Sequence, residues 1–143
     1  MPNSSLRQWG RMIGKRIFFY IGSRGAISTY VHVDDVVSAL LLCGFNPNAK
    51  GNIFNISNDC LQEELVCAIA KVVGGSAPWV RIPESVARGA GRAFSRWPAF
   101  PLTQSRIDAL VRRTRYPTDK IESYMGFRPQ RDIISTIAEV FQG

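Results

Sequence analysis

A β-run that turns directly into a helix constrains the fold of this chain more than any other stretch. Residues 29–42, TYVHVDDVVSALLL, begin with β-formers and continue with apolar residues at helical spacing. Asp34 and Asp35 stand at the junction, and we predict that one of them caps the helix, because a carboxylate accepts hydrogen bonds from the free N–H groups of a first turn. A strand that feeds a helix without a loop is typical of α/β proteins.

The rest of the chain alternates between helical and short extended segments. Apolar spacing and the positions of Gly and Pro predict helices over 6–13, 35–43, 61–73, 84–94, 102–111, 118–124 and 131–141, and extended segments over 15–21, 28–33, 52–56 and 80–82. Apart from the short first span, about six helices with three or four brief strands make an α/β architecture. Such short strands leave the sheet unfinished as an independent unit.

Length and composition exclude several classes of protein. With 143 residues and 45% hydrophobic content, the chain is one domain's worth and is not disordered. It has no apolar run of about eighteen residues and no signal-peptide core, so we expect a cytoplasmic protein with no membrane partner. The one histidine and three cysteines do not form a zinc motif, and Cys43 and Cys67 are predicted to be core residues.

The formal charge of +7 is concentrated in residues 7–24 and 81–115. Basic clusters of this kind bind nucleic acid, anionic lipid or a phosphorylated small molecule, or they are simply solvated. We do not expect a nucleic-acid partner, because no zinc-finger spacing or RNA-binding aromatic motif accompanies the charge. His32, between two valines and beside two acids, is predicted to be a structural hydrogen-bonding group, with catalysis as the alternative.

Several short motifs occur in a familiar order. YVHVDDVVSALL is followed by GNIFNIS, RIP, the segment 116–120 and MGFRP. This order, from about Asn3 to about Val140, resembles the C-terminal part of extended short-chain dehydrogenase/reductases, the NAD-dependent epimerase/dehydratase family that acts mostly on nucleotide sugars. The resemblance implies that residues 1–143 are a single partial domain. That domain would be the substrate-binding C-terminal region of an extended Rossmann-type enzyme, lacking the N-terminal dinucleotide-binding half.

One literal motif of this family, GxxGxxS, occurs at Gly22, Gly25 and Ser28 in an unsuitable setting. A dinucleotide-binding loop needs a helix to begin at its glycines, so that the helix N-terminus faces the phosphates. Here the β-prone run AISTYVHV follows Gly25. We therefore predict a hairpin turn and no GxxGxxG loop.

A second literal motif, YxxxK, spans Tyr116 and Lys120. The catalytic pair of the family lies on one helix, which brings the lysine charge close to the phenol. The proline directly after Tyr116 disfavours a helix across the pair. We predict that Tyr116 packs, that Lys120 lies on the surface, and that the chain has no catalytic residues.

The resemblance implies a substrate-binding surface. Asn3 matches a loop asparagine of the sugar-nucleotide epimerases, and Phe18 with Phe19 matches their base-contacting strand. The alternative is that Asn3 belongs to a frayed terminus and the phenylalanines to the core.

The arginine that holds the diphosphate is where the sequence departs from the family. UDP-galactose 4-epimerases have an Arg-Asp pair immediately before the tyrosine of the organising stretch, and Ser28 and Thr29 occupy those positions here. Arg24, Arg106 and Arg113 remain as candidates, because a guanidinium can bind two phosphate oxygens at once. The alternative for each is an exposed, solvated arginine.

The sequence thus predicts the substrate-binding portion of a nucleotide-sugar epimerase or dehydratase that is inactive alone. We expect no cofactor in this chain, whereas NAD is implied for the full-length family. The alternatives are a non-enzymatic nucleotide-binding or interaction module and a basic nucleic-acid-binding domain. We also expect self-association or an N-terminal partner half, because the missing half would leave apolar surface uncovered near Val36, Val37, Leu40, Phe54 and Ile56.

Overall fold

The computed structural model describes residues 4–94 and 104–142, except for the side chain of residue 4. Seven α-helices and four strands lie in these two ranges. In chain order they are α1 (Ser4–Gly14), β1 (Tyr20–Ile21), β2 (Ile27–Tyr30), α2 (Val33–Phe45), β3 (Asn58–Leu61), α3 (Gln62–Val72), β4 (Arg81–Ile82), α4 (Glu84–Ala93), α5 (Gln104–Val111), α6 (Asp119–Met125) and α7 (Ile133–Gln142). A short 3₁₀ turn, Pro47–Ala49, follows α2.

The four strands form two separate two-stranded sheets. β1 pairs with β4 in parallel, with Tyr20 opposite Arg81. β2 pairs with β3 in antiparallel fashion, from Ile27 opposite Leu61 to Tyr30 opposite Asn58. The molecule is therefore a small α/β domain in which helices provide most of the packing surface.

The main hydrophobic core lies where α1, α3 and α7 meet. The apolar face of α3 carries Leu65, Val66 and Ile69, which are fully buried. Leu6 and Ile13 from α1 and Ile137 from α7 join the same cluster. Two smaller clusters form around Ile121 of α6 and around Ile107 of α5.

The predicted strand over residues 15–21 is mostly not a strand. Only Tyr20 and Ile21 pair, with β4. Arg16 adopts a left-handed conformation with φ of 59°, and the Ile17 amide donates to the Met12 carbonyl at 3.0 Å. The first half of this stretch therefore terminates α1, and the β-propensity of its aromatics is expressed only where a partner strand is present.

The predicted strand over residues 52–56 is wrong, and the neighbouring run Asn58–Leu61 forms a strand instead. Those polar residues pair because β2 lies opposite them. Residues 53–56 are alternately exposed and half-buried, and their backbone groups make no hydrogen bond to any other residue that the structure describes. This alternating burial is typical of a strand, but none of the described strands pairs with these residues.

Two further local predictions need correction. Gly22 and Gly25 have positive φ, but the segment between them is not a hairpin, because β1 and β2 belong to different sheets. The N-cap of α2 is His32, whose Nδ1 accepts from the Asp34 amide at 3.2 Å. Asp35 is buried and serves a different purpose, accepting from the amides of Gln130 and Arg131 at 3.0 and 3.1 Å.

The predicted helices lie close to the observed ones. The predicted span 35–43 is extended by two residues at each end in α2, and 61–73 becomes Gln62–Val72. The predicted helix start at Leu102 and Thr103 lies outside the described residues. Within 4–94 and 104–142, every helix is too short or too polar to cross a membrane.

Candidate functional site

A cleft of about 610 Å³ opens between α1, β2 and α5. One face of α1, the segment that leads into β1, the strand β2 and the C-terminal end of α5 line the cleft. Its volume is within the range of small-molecule sites, which is roughly 300–1,000 Å³. The lining residues are Ser5, Gln8, Trp9, Met12, Phe18, Phe19, Ile27, Ser28, Thr29, Tyr30, Arg106, Ala109, Leu110, Arg112 and Tyr116.

One wall of the cleft is aromatic. Trp9 and Phe18 meet edge to face with ring centroids 5.5 Å apart, and Phe18 meets Tyr20 in the same manner at 5.7 Å. Such edge-to-face pairs hold rings in fixed orientations. Phe18 is itself a buried core residue, so Trp9 and Phe19 offer more accessible ring surface to a ligand than Phe18 does.

The β2 wall is tied to the end of α5. The Ile27 amide donates to the Arg112 carbonyl at 2.8 Å, which anchors the backbone of Arg112 beside the strand. Tyr30, at the other end of β2, is half-buried, and burial together with the nearby Cys60 raises the pKa of its phenol. Tyr30 therefore stays neutral at physiological pH and can act as a hydrogen-bonding group.

The third wall carries the charge. Arg106 and Arg112 both line the cleft, and among the described lining residues there is no aspartate or glutamate. Two guanidinium groups that line one cleft favour an anionic ligand there. A planar apolar group would lie on the aromatic side, while an anion such as a phosphate would face the arginines.

The structure brings together three of the six residues predicted for substrate binding. Phe18, Phe19 and Arg106 all line the cleft. Arg24 and Arg113 lie apart from it and contact each other, because the Arg113 guanidinium donates to the Arg24 carbonyl at 3.0 Å and also to the Ser23 hydroxyl. Asn3 lies outside the described residues.

The cleft contains residues that sequence reasoning did not select, chiefly Trp9, Tyr30 and Arg112. Trp9 is apolar and helical, which by pattern alone indicates core. Tyr30 was used only as a β-former. Arg112 stands next to the selected Arg113, and only the position of the α5 terminus decides which of the two neighbours faces the cleft.

A second cavity of about 650 Å³ lies between the segment 57–59 and residues 115–129. Its lining is mixed in charge, with Asp59, Asp119 and Arg115 among the residues. Arg128 and Glu122, also in the lining, form an ion pair with each other. Since this pair neutralises itself, the cavity is a weaker candidate than the aromatic cleft despite its similar volume.

The two literal motifs GxxGxxS and YxxxK lie in a different local structure from a dinucleotide-binding loop or a catalytic helix. Residues 22–25 lead into β2 and not into a helix, so they do not fit the pyrophosphate of NAD. Tyr116 precedes α6 and is not on a helix with Lys120. Tyr116 is 44% exposed, so the prediction that it packs is wrong, whereas Lys120 is on the surface, with its ammonium 5.3 Å from the Phe54 ring centroid.

The histidine and the three cysteines lie outside the cleft. His32 caps α2, and its Nε2 lies 3.6 Å from Glu139, away from the cleft. Cys60 is the buried cysteine, and burial, followed by nearby carboxylates, raises the pKa of its thiol to about 11. Cys43 and Cys67 are only half-buried. Among the described side chains, no three His, Cys, Asp or Glu residues are grouped to hold a metal ion.

Comparison with known proteins shows a distant likeness in fold. No protein-family model and no curated protein matches this chain. Among solved structures, it is similar to the epimerase Mth375 from the methanogen Methanothermobacter thermautotrophicus, with 16% sequence identity and a TM-score of 0.63 over 94% of this chain. It is also similar to gox2253, with 18% identity and a TM-score of 0.59 over 93% of this chain.

The matched region is a minor part of both neighbours. This chain spans 36% of Mth375 and 42% of gox2253. At such low identity, the likeness establishes the fold alone. The chain therefore has a distantly epimerase-like α/β fold.

Proposed function

We propose that this chain is the substrate-binding C-terminal portion of an NAD-dependent nucleotide-sugar epimerase or dehydratase, and that it is inactive alone. The observation that carries the proposal is the cleft, which combines an aromatic wall with Arg106 and Arg112. A nucleoside diphosphate sugar has a flat base and two charged phosphates, which match these two walls. The epimerase-like fold supports the same direction.

The proposal assigns positions to the parts of the ligand. The base would lie against Trp9 and Phe19, because stacking on a ring requires only a π-face. The diphosphate would bind Arg106 and Arg112, whose guanidinium groups donate paired hydrogen bonds. The chain offers binding and orientation. Hydride transfer would come from NAD held by an N-terminal half.

That half would also cover an apolar face of α2. Leu40 is 65% exposed and Phe45 87%, and Val33, Val37 and Leu41 are exposed on the same helix. Their spacing of three or four residues places them on one stripe. The sequence placed Val36, Phe54 and Ile56 on this uncovered face as well, but the structure leaves them half-buried.

The unpaired segment 53–56 is a second surface for the same partner. Its free backbone groups would pair with a strand of the dinucleotide-binding half, since an unpaired extended segment is a template for strand addition. Without that half, self-association through α2 is the alternative way to cover the apolar stripe.

A titration of the pure protein with UDP and a UDP-sugar, followed by NMR, tests the binding role. We expect a Kd near 1 mM, about −4 kcal/mol, with shifts at Phe19 and in α5, because half a site leaves the ligand solvated on one side. Arg106→Gln should weaken binding, whereas Arg24→Gln, a matched control outside the cleft, should not. No shift at Phe19, or equal effects of both substitutions, would contradict the assignment.

A non-enzymatic nucleotide-binding module would give the same titration, so a second measurement separates the two functions. Under our proposal, the pure protein converts no UDP-sugar in the presence of NAD. Activity should appear when a dinucleotide-binding half is added, and reading the DNA upstream of the Met1 codon for GxxGxxG and YxxxK is the cheapest way to look for it. Nucleotide binding with no such half would favour the module.

A further inference from the structure

A second surface, at the end of the β1–β4 sheet where both strands begin, combines exposed apolar side chains with cations that form no ion pair with any residue the structure describes. We call it the strand-entry surface. Its apolar members are Ile17, Val72, Trp79 and Val80, and its cations are Arg11, Lys15, Arg16 and Lys71, all exposed.

The topology brings these residues to one end of the molecule. β1 and β4 are parallel, so the segments that lead into them, from α1 and from α3, enter at the same end of the sheet. The Tyr20 amide donates to the Val80 carbonyl at 2.9 Å. Gly75, just after α3, lies close to the end of α1, because a Cβ atom added to Gly75 would be 3.6 Å from the Ile13 carbonyl oxygen.

The apolar part of this surface is unusual for a solvated loop. Trp79 is 89% exposed and Ile17 is 57% exposed. Trp79 precedes β4 by two residues and Ile17 precedes β1 by three, so both lie at the end of the sheet where the two parallel strands begin. An exposed tryptophan beside aliphatic side chains favours the boundary between water and hydrocarbon, where its ring and its N–H are both satisfied.

The segments that form this surface carry charge of one sign. No aspartate or glutamate occurs at positions 4–33 or 65–83. The ion pairs of the described residues involve other cations, and none of them includes Arg11, Lys15, Arg16 or Lys71. Four cations without carboxylate partners attract an anionic surface.

Arg16 adds an independent observation. Its φ of 59° places it in the left-handed region, where a non-glycine residue costs roughly 1–2 kcal/mol. A glycine would terminate α1 at lower cost, yet an arginine stands there with no ion pair among the described residues. An external anion would account for an arginine at this strained position.

We propose that the strand-entry surface binds the surface of an anionic membrane. Trp79 and Ile17 insert at the headgroup level, and the four cations contact the lipid phosphates and carboxylates. We expected no membrane partner from the sequence because no segment could span a bilayer. That reasoning does not apply to a protein that binds only the surface of a membrane.

The observations favour a membrane over nucleic acid. Nucleic-acid surfaces combine cations with several stacking rings or with base-reading polar groups. Here the strand-entry surface has one ring, that of Trp79, together with the aliphatic side chains of Ile17, Val72 and Val80. Aliphatic side chains make no favourable contact with a phosphate backbone. Aliphatic side chains beside a cationic rim match lipid.

Sedimentation of the whole protein with vesicles tests the proposal. We expect binding to phosphatidylcholine vesicles that contain phosphatidylserine, little binding to phosphatidylcholine alone, and loss of binding at high salt, since the Debye length falls from about 10 Å at 0.1 M to about 3 Å at 1 M. The chain has three tryptophans, so the blue shift of the emission on binding is compared between the wild-type protein and Trp79→Ala, which should lack it. No binding to the anionic vesicles, or salt-independent binding to both kinds, would overturn the proposal.

Variants separate the membrane role from a loss of folding. Trp79→Ala should lower partitioning about tenfold, whereas Val86→Ala, also exposed but outside the surface, should not change it. Arg16→Gly should lower partitioning about fivefold while raising the melting temperature, because it removes a cation and also relieves the backbone strain. Equal effects of Trp79→Ala and Val86→Ala, or tighter binding to a single-stranded oligonucleotide than to the vesicles, would refute the membrane assignment.

Discussion

Asp35 holds the start of α2 against the segment that precedes α7, and its removal should be costly. The residue is only 4% exposed, and its two carboxylate oxygens accept from the Gln130 and Arg131 amides. A hydrogen bond to a charged group contributes roughly 1.5–3 kcal/mol. The two donors belong to exposed residues and can partly rehydrate, so we expect Asp35→Ala to lower the free energy of unfolding by about 3 kcal/mol.

The neighbouring residue provides a matched control. Asp34 is in the same first turn, so both substitutions remove the same favourable interaction with the helix dipole. Its carboxylate is exposed and forms an ion pair with Arg131 at 3.2 Å, worth roughly 0.2–1 kcal/mol. In urea unfolding, Asp35→Ala should therefore lose the most stability, Asp35→Asn should lose less, and Asp34→Ala should lose the least. Losses that are equal for Asp35→Ala and Asp34→Ala would show that the buried contacts contribute nothing beyond a surface charge.

Two further predictions concern the core and the uncovered face. The folded Cys60 thiol has a pKa of about 11 against an ordinary 9.0, so the unfolded state binds fewer protons between these two pH values. The free energy of unfolding should therefore fall with rising pH in this window, by on the order of 2 kcal/mol more in the wild-type protein than in Cys60→Ala. Parallel pH curves for the two proteins would contradict this prediction. Replacing Leu40 and Leu41 together by Gln should reduce self-association and hydrophobic-dye binding in sedimentation and fluorescence assays, with stability changed by less than about 0.5 kcal/mol per site. A wild-type protein that is monomeric and binds no dye would show that this face needs no cover.

Helices were predictable from the sequence because a helix satisfies its own backbone. The apolar spacing of Leu65, Val66 and Ile69 was enough to place α3 and its buried face. Strands depend on partners that the sequence does not show. Residues 52–56 have the right composition but no strand beside them, whereas polar Asn58–Leu61 is a strand because β2 lies opposite.

The candidate site was predictable only in part, for a related reason. Phe18, Phe19 and Arg106 were selected from the order of motifs and from residue chemistry, and they share the cleft. Arg112 and Trp9 could not be selected, because their direction depends on where α5 ends and on how α1 packs. The capping role of His32 was hidden by two acids that are commoner at that position.

The contact between α1 and α7 has a consequence for how the protein is made. The Arg7 guanidinium donates to the Val140 carbonyl at 3.1 Å, across 133 positions of sequence, and Leu6 and Ile137 share one core. While the chain is being synthesised, part of the apolar face of α3 stays exposed until α7 has been made. Such non-local closure slows folding and lengthens the time in which chaperones and proteases meet an open core.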